Sequence, residues 1–164
     1  MQISDILLLY DYNNWANQRI LDTAVQVSPA QFVAPTGHSF GSLRGTLVHL
    51  LDTEWGWRML CQHHASTPLL KEEDFPTLST LAQRWQEEKQ AMQAYLAGLT
   101  DDDLAHDMRY TAEAGHERAR VLWHNLVHVV NHGTQHRSEA ADMLTRYGFS
   151  PGDLDFTLFL NERL

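Results

Sequence analysis

Four of the ten histidines, His124, His128, His132 and His136, recur at every fourth residue of the stretch WHNLVHVVNHGTQHR. On an α-helix that spacing sets each imidazole one turn above the last, near one face. Histidine is the commonest side-chain metal ligand. Two histidines at i and i+4 reach one ion, at about 2.0–2.1 Å for a borderline divalent metal. A third ligand must then come from another helix. His49 is the leading candidate, because it is the only histidine deep inside another predicted helix and has core residues around it. Three protein ligands leave a position open for water or substrate, the arrangement of catalytic rather than structural sites. Such a donor set suits zinc or nickel. A plainer account also fits: histidine pairs at this spacing arise on helices by chance, and a single histidine on an apolar face is commonly a hydrogen-bonded core residue. Spacing alone leaves open which rungs of the ladder ligate.

The ladder needs a scaffold, and the 3.6-residue apolar period supplies four long helices. The first covers 4–27, with Ile6, Tyr10, Ala16, Ile20 and Ala24 on one stripe, and Ser28-Pro29 ends it. Asn13, Asn14 and Asn17 are poor helix formers in its middle. They read as a solvent-facing or packed polar patch; the alternative is one asparagine turned inward to support a ligand. The second helix covers 42–63 behind Ser42 as N-cap, with Glu54 the one charge in its apolar stripe. Gly45, one turn before His49, leaves room for a neighbouring backbone or a ligand. The third, 77–98, has no histidine and reads as structural. The fourth, 121–147, carries the ladder beside the stripe Leu122, Leu126, Val129, Val130, Gly133, Ala140 and Leu144, and Gly148 is a good residue to end it. Asp101-Asp102-Asp103 reads as a capped short turn. Alternation on both sides of Ala114-Gly115 allows a small hairpin over 106–120. The tail after Ser150-Pro151 is either a short helix or an extended arm. Together these define an all-α four-helix bundle, a single domain over 1–164, with a middle connection long enough for a crossover.

Composition narrows the partners. A formal net charge of −9 argues against general nucleic-acid or anionic-membrane binding. No run approaches the roughly 20 apolar residues of a membrane span. The N-terminal stretch lacks the pattern of a signal peptide, and Cys61 is the one cysteine, so a reducing cytoplasm is expected. Cys61 reads as a buried apolar residue, and His63 and His64 as cations complementing a helix C-terminus.

The segments YDYNNWANQRIL, GTLVHLLDTEWGWRML and HNLVHVVNHGTQHRSEA occur in the order of the blocks of the DinB family, also described as DinB/YfiT-like, and the chain resembles that family over nearly its whole length. The resemblance implies a four-helix bundle with a crossover, often dimeric, that holds a divalent ion through three histidines. Carried over position by position, those ligands fall on His49, His132 and His136, which selects two rungs of the ladder. His128 then becomes a wall of the pocket and His124 a scaffold residue. The family often has Gly-Gln after its His-Arg pair, where this chain has Ser138-Glu139. Glu139 shares the face of His132 and His136. Orienting an imidazole, acting as a catalytic general base, adding a ligand or simply facing solvent all remain open for it. Arg137 is a further candidate for positioning substrate. Relatives resemble thiol-dependent transferases and isomerases, which implies a metal-dependent S-transferase that uses a low-molecular-weight thiol on small electrophiles. A non-catalytic metal- or ligand-binding stress-response protein and a metal-hydroxide hydrolase are the other readings.

Overall fold

A computed structural model describes residues 1–111 and 115–164. The chain forms α1 (Ile3–Ala24), α2 (Pro29–Phe32), α3 (Leu43–His63), a 3-10 turn (Glu72–Asp74), α4 (Leu78–Ala97), α5 (Asp101–Ala105), β1 (Asp107–Thr111), β2 (Glu117–Val121), α6 (Leu122–Arg146) and α7 (Phe156–Glu162). The expected four long helices are α1, α3, α4 and α6. Local chemistry sets their ends. The Ser42 hydroxyl accepts from Gly45 N at 2.9 Å and starts α3. After α6, Gly148 takes a φ of 92°. Phe149 N then donates to Leu144 O at 2.9 Å and Gly148 N to Thr145 O at 3.0 Å, which satisfies the last carbonyls.

The apolar stripes meet in two clusters. One gathers Ile20 and Ala24 of α1, Leu43 and Leu47 of α3, Leu81 of α4 and Leu144 of α6. The other gathers Ile6 and Tyr10, Cys61, Met92 and Leu96, and Leu122 and Leu126. Helices α1 and α6 therefore run from the second cluster to the first, and α3 and α4 run the opposite way. Each of α1 and α3 packs on both α4 and α6. Parallel neighbours need a connection as long as the bundle, and the 64–77 segment provides it. Leu70 N on this segment donates to the Asp52 carboxylate at 2.8 Å, halfway back along α3. Glu72 then reaches Arg44 Nε at 3.1 Å, near the start of α3. Extended chain covers about 3.3 Å per residue against about 1.5 Å for helix, so this short segment suffices. The middle connection is thus the crossover.

A buried polar layer separates the two clusters. Glu54 Oε1 accepts from the side-chain amides of Asn13 and Asn17, each at 2.7 Å, and Glu54 Oε2 accepts from Trp85 Nε1 at 2.9 Å. The carbonyl oxygens of Asn13 and Asn17 accept from Arg137 Nη1 at 2.5 and 2.9 Å. Burial pushes the Glu54 carboxyl pKa up, and the three donors and the Arg137 charge oppose that shift. The layer takes one or two residues from every long helix. Gly133 makes room for it, because a Cβ there would lie 2.5 Å from Arg137 Nη1 and 2.8 Å from the Asn13 oxygen. The asparagine patch is therefore packed: Asn13 and Asn17 are buried and bind Glu54 and Arg137, while Asn14 is half-buried.

The remaining segments clad the bundle. Thr100 and Asp103 cap α5 reciprocally, so the acidic run is a helix start. The hairpin forms, with Met108 paired to Arg120 and Tyr110 to Arg118. Ala114, at its expected turn, lies outside the described residues. The tail is a short helix: Phe159 packs on Tyr12 and Trp15, and Trp15 Nε1 donates to Glu162 at 2.8 Å.

Replacing Asn13 by Ala should strip a donor from Glu54 and an acceptor from Arg137 while both stay buried. The expected loss is about 2–4 kcal/mol in urea denaturation. A loss below about 0.5 kcal/mol, the level of an ordinary surface substitution, would show that the layer carries little stability.

Candidate metal centre

Successive residues on a helix project about 100° apart. On α6, Arg137 turns toward α1, and His132 and His136 sit on the side that packs against α3. The structure brings them to His49. His49 Nε2 and His132 Nε2 are 3.0 Å apart. The ring centroids lie 4.9 Å apart for His49–His132, 4.8 Å for His49–His136 and 4.5 Å for His132–His136. One nitrogen from each of the three falls within 4.8 Å of the others. His136 Nδ1 is 2.8 Å from Glu139 Oε2, which leaves its Nε2 for the cluster.

The donor chemistry fits a divalent ion. Burial first, and the neighbouring His136 charge second, hold His49 and His132 at pKa values of about 4. Both are neutral near pH 7, with a lone pair available. Two nitrogens about 2.05 Å from a tetrahedral ion stand roughly 3.3 Å apart, close to the observed Nε2 pair. His132 Nδ1 is buried and has no hydrogen-bond partner among the described residues.

Two other segments frame the cluster. On one side the loop after α2 crosses α3. Phe40 stacks on the His49 ring at 3.7 Å and meets His136 edge-on at 5.2 Å. Gly45 permits this, since a Cβ there would overlap the Phe40 carbonyl and crowd Glu72. The space at Gly45 is thus taken by a neighbouring backbone, that of Phe40. Ser39 and His38 tie the loop to α6 through Glu139, at 3.5 Å, and Asp142, at 3.0 Å. On the other side, His128 lies 5.7 Å from the His132 ring and 5.0 Å from Trp57, and Trp57 lies 5.7 Å from Tyr110 of the hairpin. Burial, and then the charge of Arg120, lower the pKa of His128.

The remaining sequence candidates separate clearly. His124 is exposed and packs on Trp123, away from the trio. Arg137 is 1% exposed, and its guanidinium serves Asn13, Asn17 and Thr134. It belongs to the buried layer and makes no hydrogen bond to the trio. Glu139 has the geometry of a group that orients His136. Cys61 is buried, and His63 and His64 are exposed at the end of α3. Phe40, Trp57 and Tyr110 carry no signal in the sequence that marks them as site residues. Aromatic residues far apart in the chain carry no motif, and only the packing of a loop, a helix and a hairpin unites them.

A trio of imidazoles in the seam of an antiparallel helix pair, inside a bundle with one lengthwise crossover, defines a helical-bundle protein with a candidate metal centre. The chain matches the model of the DinB family over residues 1–163 and belongs to that family. It is 26% identical over 163 residues to the protein DinB of Bacillus subtilis (strain 168), covering 93% of this chain and 91% of that protein.

The depressed histidine pKa values set a pH dependence for metal-free protein. The unfolded chain takes up protons near pH 6.5, whereas folded His49 and His132 resist until about 4. Stability should therefore fall as pH drops from about 6.5 toward 4. The H49Q/H132Q double variant should show a shallower decline in denaturation curves taken across that range. Equal slopes in the two proteins would contradict the assignment.

Proposed function

We propose that the chain is a metal-dependent enzyme in which His49, His132 and His136 hold one divalent ion, zinc or nickel by donor type. The convergence of three imidazole nitrogens from α3 and α6 carries this reading. A bound ion with an open position would lower the pKa of a thiol or water placed there. The reaction we favour is S-transfer: the thiolate of a low-molecular-weight thiol forms a carbon–sulfur bond to a small electrophile, whose leaving group departs with the bonding pair. In this scheme Glu139 fixes the His136 ring and its tautomer, and Phe40 and Trp57 provide apolar walls that limit water. A hydrolase would need Glu139 free as a base, and its bond to His136 Nδ1 counts against that. A non-catalytic, stress-responsive binding protein predicts the same ion without turnover. Residues 1–164 would form one domain, acting as a cytoplasmic homodimer. No helix among the described residues is long and apolar enough to cross a membrane.

Elemental analysis of protein purified without a histidine tag should find about one divalent ion per chain, and H132A should lose it. Stoichiometric metal in H132A would overturn the ligand assignment. Glu139→Gln should keep the ion but weaken its affinity by about 10–100-fold. A screen of small thiols against electrophiles on the loaded protein then separates transferase from binding protein.

A further inference from the structure

The hairpin before α6 carries two arginines, Arg118 and Arg120, that form no ion pair among the described residues. Strand residues alternate between faces, and directly paired residues share one. The observed register puts Met108, Tyr110, Arg118 and Arg120 on one face of the hairpin, and Arg109 and Glu117 on the other. The first face is turned toward the bundle. Met108 is buried in the core, and Tyr110 packs edge-on against Trp57, which in turn packs against His128. Arg118, paired with Tyr110, and Arg120, whose charge acts on His128, lie on that inward face, yet both are exposed and stand at its edge.

Their charges are unusual for this chain. The formal net charge is −9, and the arginines outside the hairpin are matched by carboxylates or, for Arg137, by asparagines. Among the described residues, Arg109, Arg118 and Arg120 form no ion pair. Glu117 faces the other way and accepts from the Thr111 hydroxyl at 2.8 Å. Two guanidinium groups with no ion-pair partner among the described residues, on the face whose aromatic contacts lead through Trp57 and His128 to His132, have the chemistry of an oxyanion grip. Arginine binds carboxylate or phosphate with a planar fork, and aromatic rings cover the body of the ligand.

We infer that Arg118 and Arg120 bind the carboxylate or phosphate group of a small anionic ligand whose other end reaches the His49–His132–His136 cluster. This rests on the reading of that cluster as a metal centre only for what the far end meets. The ligand is therefore an acidic small molecule, of which an acidic thiol is the form that suits the proposed reaction.

Glutathione, which carries two carboxylates, and its diethyl ester are the probes, each titrated calorimetrically into the full chain with and without cobalt(II). The acid should bind about tenfold or more tightly than the ester, as one or two charge-assisted hydrogen bonds predict. The R118A/R120A variant should lose that preference and keep its cobalt. R109A removes a like charge from the opposite face and should retain the preference, so a general charge effect is separated from a directed site. Equal binding of acid and ester to the unaltered chain, binding of neither, or loss of the preference in R109A as complete as in R118A/R120A would overturn the inference. Cobalt content is measured independently: its failure to bind counts against the metal centre, while the acid–ester comparison still decides the arginine pair.

Discussion

The bundle depends on one interior contact: a carboxylate and a guanidinium that never touch, joined by two asparagine amides. Glu54 enters from α3, Asn13 and Asn17 from α1, Trp85 from α4 and Arg137 from α6. Uncompensated burial of either charge would be costly, so the layer holds only when all these helices are in register and correctly rotated. Apolar clusters above and below tolerate small adjustments of packing. A hydrogen-bonded layer between them does not, and it gives each helix one permitted rotation about its axis.

That rotation places the site. Arg137 follows His136 directly in the chain, so fixing Arg137 against α1 turns His132 and His136 toward α3. On α3, Glu54 lies five residues after His49, and holding Glu54 in the interior leaves His49 near the seam with α6. His49 and His132 are then partly buried and neutral, His136 is buried, and each of the three keeps a nitrogen near the others. The polar layer and the histidine cluster are thus two faces of one constraint, although the layer contributes no ligand.

The framing of the cluster has a different origin. Phe40 comes from a loop that can lie on α3 only because Gly45 has no side chain. Trp57 and Tyr110 come together because the β2 strand runs directly into α6 and brings the hairpin beside α3. Family membership is consistent with the helical scaffold and with a metal-binding role. The particular walls around the trio, and the arginines at its edge, come from the connections, where related chains have most freedom to differ.

Much of this was legible in the chain itself. The 3.6-residue period, with Ser28-Pro29, Ser42 and Gly148 as end signals, located the long helices to within a few residues, because helix formation and capping are local. The spacing of His132 and His136 put them one turn apart, for the same reason. The length of the middle connection made a crossover possible. Three things were decided only in three dimensions. Asn13 and Asn17 read equally as a solvent-facing or a packed patch, and Arg137 as a substrate-positioning residue, until Glu54 arrives from another helix, since a polar side chain is buried only where a partner satisfies it. Glu139 had several open roles until its carboxylate met His136 Nδ1. The convergence of His49 with the ladder needed α3 and α6 to pack antiparallel at matching heights. Periodicity shows which face of a helix is buried, but the partner that buries it is a property of the whole packed chain.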